Sequence, residues 1–359
     1  MDRGEDLEFT RAGLTMINPA PYNAEAPPAA LAGDITPSEL HYVRSNFAVP
    51  EHDGRLEIGG AADTPTTLTL EDLRAMPARE AAVTLECAGN GRLGMQPLPT
   101  GEPWGDYAVS TARWTGVALH EVLERVAPQE TGVEVLFEGA DHGAYHLTPI
   151  LADTDRNDLS FMRALPLATA MDPAAEILIA YEMNGQPLGR DHGGPFRLVV
   201  PHWYAVASVK WLKRIDVLTE PFAGEFQTGH YIYQWPDRPH EPVRLMRVRA
   251  RITDPTPGAV LSRGSYVVRG KAWSGAGPIT KVEVSLTGEG EWHPTQLEPP
   301  NSTSHWQNWS FSWQATDVGR HTLRARATDQ AGNVQPDVPP WNRLGYGNNA
   351  IEVIYVDVH

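Results

Sequence analysis

The residue with the widest chemical range in this sequence is its single cysteine. Cys87 closes the run Ala-Ala-Val-Thr-Leu-Glu at residues 81–86 and opens the turn Ala88-Gly89-Asn90-Gly91-Arg92. A thiolate is a soft ligand that suits soft metals, and a nearby arginine lowers a thiol's pKa. A buried cysteine is equally at home as a small hydrophobe, so the local sequence leaves both roles open. The two glycines imply that the backbone passes close to another group. Three other patterns carry less. Gly89–Gly94 fits G-x-G-x-x-G after a strand, but Pro97, Pro99 and Pro103 follow where a dinucleotide site needs a helix. His142 and His146 stand four apart with Gly143 between them and no third ligand near, which argues against zinc. No G-x-S-x-G elbow of a serine hydrolase is present.

The elements that must position Cys87 are mostly strands. Leu56 and Ile58, then Leu68 and Leu70, alternate in strand fashion, and residues 81–90 read as a buried strand ending in a turn. Val117, Leu119, Val122, Leu123 and Val126 recur at helical spacing over 115–127. Residues 133–139 and 175–185 read as strands, the second closing at Asn184-Gly185, and 195–218 reads as long β structure. The expected class for this part is α+β. From about residue 240 the texture changes to about seven short strands, such as 279–286, where Val282, Val284 and Leu286 alternate with Lys281, Glu283 and Ser285. That pattern reads as an immunoglobulin-like β-sandwich without a disulfide. Residues 1–40, Pro/Ala-rich and acidic, read as an extended arm draped on the surface or partly disordered. The expected organisation is therefore 1–40, 41–239 and 240–359.

Composition removes whole classes. The 359 residues carry 32 Gly and 31 Pro, too many for a helical bundle. One cysteine excludes an intrachain disulfide and an iron–sulfur cluster. A net charge of −16 argues against nucleic acid and anionic membrane as partners. Residues 240–359 hold 12 Lys+Arg and 11 Asp+Glu, which leaves −17 for residues 1–239. No stretch reaches the ~18 apolar residues of a membrane span. No export signal is visible, so a cytoplasmic location is expected, with the periplasm as the alternative if the chain is trimmed or co-exported.

Glu86–Arg92, Ser110–Leu119, Ala180–Pro201, Ser208–Leu212, and then Asn333–Asp337 followed by Pro340–Arg343 occur in an order that resembles the sulfite oxidase family, its bacterial sulfite dehydrogenases in particular. The resemblance runs from about residue 40 to 345. It implies a molybdopterin-binding domain followed by an immunoglobulin-like dimerisation domain, and oxidation of sulfite to sulfate by oxo transfer at molybdenum. Electrons would pass to an external one-electron acceptor such as a cytochrome, since no C-x-x-C-H haem motif is present. Reduction of nitrate or a sulfoxide on the same fold is the alternative, and a non-catalytic binding protein a more distant one. Position by position, Cys87 matches the metal-ligating thiolate. Arg44, Arg92, Trp104 and Tyr231 match the substrate site, with Tyr233 a rival for Tyr231. Arg44, Asn46, Asp141, His192, Arg197, Ser208 and Lys210 fall where the family holds the pterin and its phosphate. Sulfite and phosphate are oxyanions, and Arg, Lys and His are the side chains that bind them.

Three departures stand out: Gly91 where the family carries an arginine, residues 202–207 (His-Trp-Tyr-Ala-Val-Ala) where it has a Gly-rich segment, and Arg343-Leu344 in exchanged order. Pro339, Pro340, Gly345 and Gly347 make that last segment a loop, from which Arg343 is expected to reach the substrate pocket.

Overall fold

The computed structural model describes residues 13–145, 156–288, 290–300 and 302–359. Two sheets build the first half. One runs Gln186–Pro187, Leu178–Met183, Val109–Ala118, Ala78–Glu86, with Arg197–Val199 also paired to Leu178–Met183. The other runs Thr66–Thr69, Arg55–Gly60, Leu212–Leu218, Glu134–Tyr145, Arg156–Pro166. The 115–127 periodicity becomes the helix Leu119–Val126, which buries Leu119, Val122, Leu123 and Val126 as the spacing requires. Leu70 does not extend its strand. It opens the short helix Leu70–Arg74, because Thr69 and Asp72 form a reciprocal cap. The expected long β run over 195–218 is interrupted between Arg197–Val199 and Leu212–Leu218 by a turn of 3₁₀ helix at Ala205–Ala207.

The second half is a sandwich of a four-stranded and a five-stranded sheet around Val268, Val282, Val284, Trp309, Leu323 and Val356. Its described residues form nine strands rather than about seven. The extra ones are edge pieces such as Val260–Leu261 and His293–Pro294, each of two residues and too short to alternate. Residues 243–246 do not join the sandwich, whose core begins at Val248. The Val243 N–H donates to Tyr231 and that of Met246 to His202, tying the segment to the first half.

Residues 13–40 are a correction to the draped arm. The hairpin Thr15–Pro19 with Tyr22–Glu25 buries Asn23 and Ala24, and the turns after it pack Ala26, Ala30 and Leu31 into the first core. No described helix is long and apolar enough to cross a membrane.

Candidate active site

Strand Ala78–Glu86 is buried on both faces at its C-terminal end, with apolar Val83 and Leu85 alternating with polar Thr84 and Glu86. Val83 and Leu85 enter the first core. Thr84 and Glu86 face the sandwich, where the Thr84 Oγ1 accepts from the Trp306 N–H at 2.8 Å. The Glu86 carboxylate accepts from Asn90 Nδ2 at 2.8 Å, Arg249 Nη1 at 3.1 Å and Trp273 Nε1 at 2.9 Å. Arg249 Nη2 continues to Asp106 at 2.5 Å, and Asn348 Nδ2 donates to the Gly91 carbonyl at 2.5 Å. The Cys87 N–H donates to Ala108 at 2.9 Å. The turn that carries Cys87 is thus gripped by both halves of the chain. Gly91 sits on the sandwich side of this grip at φ +79°, where a Cβ would lie 3.1 Å from Asp106 and 3.3 Å from Arg249. Gly89 serves a different neighbour: a Cβ there would lie 2.7 Å from Arg92 Nη2. The group that Gly89 admits is the Arg92 guanidinium.

Cys87 lies where two cavities meet. The first, with about 650 Å³ of empty space, is a chamber lined by Arg44, Asn46, Asp141, His192, Arg197, Ser208, Lys210 and Tyr231. Its cations are crowded. Arg197 is buried, and its guanidinium donates to the carbonyls of His192, Leu198 and Ser208 while lying 5.0 Å from the Trp114 ring centre. Lys210 Nζ donates to Ser45 Oγ at 2.8 Å and to the Asp191 carbonyl at 2.9 Å. Burial first, then the charge of Arg197, pushes Lys210 down to about 7. Burial, then Lys210 and Arg197, also pushes His192 down. Burial pushes Asp141 up to about 7, against the pull of Lys210. His41 lines the same wall, and its Nε2 is buried with no hydrogen-bond partner among the described residues. The crowded cations fit a phosphate, and the His41 Nε2, left an acceptor because Nδ1 donates to the Tyr42 carbonyl, fits an N–H of a pterin.

That charge pattern has a testable sign. A bound dianion favours protonated Lys210 and neutral Asp141, so binding is strongest below about pH 7 and weakens above it. In the cofactor-free chain, sulfate should raise the unfolding temperature at pH 6 and do so much less at pH 9. Lys210→Met should flatten that difference. Sulfate stabilisation that grows with pH would contradict the assignment. In the chain itself, the lowered Lys210 value costs stability fully below about 7, and the cost fades as pH rises toward the ordinary lysine range.

The second cavity is a vestibule open to solvent with about 1300 Å³ of empty space. Arg44, Asn46, Cys87 and Tyr231 belong to both cavities, and Arg92 and Trp104 line the vestibule alone. Arg92 is buried, donating to the carbonyls of Leu344 at 3.2 Å and Glu102 at 2.7 Å, with the Tyr346 ring 5.3 Å from its guanidinium. Tyr231 stacks on Tyr346 at 5.1 Å between centroids, and its hydroxyl lies 3.4 Å from Asn46 and Arg44. Its φ of +56° is rare for a bulky residue and turns the ring into the site. Tyr233 lines neither cavity and stacks instead on Trp235 at 5.1 Å. Burial pushes the Cys87 thiol up, with Arg44 and Arg92 pulling against it.

One expectation fails. Arg343 is exposed and lines neither cavity, while its neighbour Leu344 is buried on the vestibule wall. The Arg343 N–H is fixed to the Gln234 carbonyl at 3.1 Å, and Arg92 holds the Leu344 carbonyl, so the backbone pins Leu344 inward. His142 is exposed beside Asp158, His146 lies outside the described residues, and no group of three potential metal ligands occurs among the described residues. The sequence reading missed His41 and Tyr346. His41 stands three residues before Arg44 in the same segment, a position that could have flagged it; Tyr346 had no local signal.

Comparisons with known proteins agree with this geometry. Residues 46–226 match the oxidoreductase molybdopterin binding domain and residues 241–358 the Mo-co oxidoreductase dimerisation domain. Mouse mitochondrial sulfite oxidase is 36% identical over 98% of this chain and 67% of its own length. Chicken sulfite oxidase is 34% identical, over 93% and 75% respectively. Nitrate reductase [NADH] 2 of Phaseolus vulgaris is 34% identical over 92% of this chain and 40% of its own. This chain spans about two thirds of the length of the mammalian relatives. Among solved structures, the sulfane dehydrogenase SoxCD of Paracoccus pantotrophus superposes with a TM-score of 0.83 at 26% identity, covering 99% of this chain and 90% of that one. The chain therefore belongs to the sulfite oxidase family of molybdopterin-dependent oxidoreductases.

Proposed function

We propose that this chain oxidises sulfite to sulfate, SO₃²⁻ + H₂O → SO₄²⁻ + 2 H⁺ + 2 e⁻. The observation that carries the reading is the position of Cys87 at the junction of a cationic chamber and an arginine-floored vestibule. Cys87 would hold the molybdenum. His192, Arg197, Ser208 and Lys210 would hold the phosphate end of the molybdopterin, with Asp141, Asn46 and Arg44 along its length. When bound, this group supplies the oxo transfer and stores the two electrons. The chain's own residues do the rest. Arg44 and Arg92 draw the oxyanion into a strongly acidic domain and orient its sulfur toward Cys87. The Tyr231 hydroxyl donates to a substrate oxygen, and Trp104 narrows the entrance and limits water.

The two electrons leave singly to an external carrier, a cytochrome being the class that suits, since one cysteine and no C-x-x-C-H leave no second redox centre of those kinds in this chain. We also infer that residues 241–358 pair two copies of the chain, in keeping with the dimerisation domain that they match.

Arg44→Gln and Arg92→Gln each remove a charge-assisted bond worth about 1.5–3 kcal/mol. The expected result is a fall of roughly 10- to 150-fold in kcat/KM for sulfite, carried mainly by KM. Sulfite with ferricyanide, set against nitrate with reduced viologen, tests the reading. Turnover of nitrate but not sulfite would replace it with a nitrate reductase.

A further inference from the structure

The vestibule is far larger than a four-atom anion needs. Its cavity volume, about 470 Å³ once open solvent is left out, lies within the roughly 300–1,000 Å³ of pockets that hold drug-sized ligands. Its two ends differ in chemistry. The floor carries Cys87 with Arg44 and Arg92, whereas the walls mix the apolar faces of Trp104, Tyr231, Tyr346 and Leu344 with the polar Asn18, Thr100 and His230. Leu344 faces in and Arg343 out, so the wall gains an apolar side chain in place of a cation. Charge is also limited. Two arginines line the cavity with Glu102, and burial pushes His230 below its ordinary value beside Glu225. The balance near +1 suits a single negative charge at the floor with an uncharged organic body above it.

We propose that the site also oxidises organic sulfinates to sulfonates, R–SO₂⁻ + H₂O → R–SO₃⁻ + 2 H⁺ + 2 e⁻. The inference rests on the sulfite reading and extends its substrate class. A sulfinate presents the same sulfur lone pair and oxygens as sulfite, with one oxygen replaced by carbon. One S–O bond forms and no bond to sulfur breaks. Sulfur loses two electrons, which leave singly to the same external carrier, the new oxygen comes ultimately from water, and both protons go to solvent. Arg44 and Arg92 hold the sulfinate oxygens, and the R group lies along Trp104, Tyr346 and Leu344. Affinity should therefore rise with the apolar area of R.

The test uses the holoenzyme with ferricyanide and three substrates: sulfite, methanesulfinate and benzenesulfinate. Product is identified by mass in H₂¹⁸O. The expected result is ¹⁸O-labelled benzenesulfonate after repeated turnover, with kcat/KM for benzenesulfinate at least tenfold above methanesulfinate. Leu344→Arg should lower the benzenesulfinate-to-sulfite ratio at least tenfold. Sulfite turnover with neither sulfinate oxidised overturns this inference and leaves the sulfite reading standing. A ratio unmoved by Leu344→Arg overturns the placement of R on this wall. Inactivity toward all three by molybdenum-loaded enzyme overturns both readings.

Discussion

Cys87→Ser abolishes turnover and leaves the fold in place. Serine offers an oxygen where a soft sulfur is required, and a hard alkoxide is a poor substitute at molybdenum. The exchange is nearly isosteric at a buried site whose backbone is held by Ala108 and Asn90, so the chain has no reason to unfold. The chamber's cations are untouched, so the pterin should remain bound while the rate is lost. Retention of more than about a tenth of the wild-type rate, which is under ~1.4 kcal/mol of barrier, would disprove the ligand assignment. Turnover and pterin content on the same preparation check it.

Arg249→Met carries the second large effect, on stability and through it on the site. Arg249 is the buried cation between Glu86 and Asp106, and removing one partner of a buried pair costs about 3–5 kcal/mol. Burial already holds the Glu86 carboxyl above its ordinary value, and Arg249 is the largest influence against that. Without the arginine, Glu86 takes up a proton on folding. A carboxyl whose folded pKa is raised destabilises the fold increasingly as pH climbs above its unfolded value. The deficit in urea unfolding should therefore be larger at pH 8 than at pH 5. Adding Glu86→Gln should recover part of it, because the neutral amide needs no counter-charge. A deficit that is the same at both pH values, with no recovery in the double variant, would show that the Glu86–Arg249 pair does not grip the Cys87 turn.

Much of this was legible before any coordinates. The strand that delivers Cys87, the Leu119–Val126 helix and the sandwich were written in period-2 and period-3.6 patterns, since each turns its apolar side chains toward a core. The family motifs then placed Arg44, Arg92, Trp104, Tyr231 and the chamber cations around the two cavities. What stayed hidden depends on contacts between distant segments. The Glu86–Arg249–Asp106 cluster joins residues up to 163 positions apart and has no local pattern. The arm at 13–40 looked unstructured because Pro and Ala carry no periodicity, yet its short side chains are what fit against the core. Arg343 was misplaced because loop composition says that a side chain can move, not which way the backbone points it. That direction follows from the Gln234 and Arg92 hydrogen bonds.

The central claim is that sulfite oxidation occurs at molybdenum held by Cys87. The direct measurement is the initial rate of sulfite-dependent ferricyanide reduction plotted against molybdenum per chain, across preparations loaded to different extents. The account predicts a straight line through the origin for the wild-type chain and a flat line at zero for Cys87→Ser. Sulfite turnover in metal-free protein, or a fully loaded wild-type chain that leaves sulfite untouched, would contradict it.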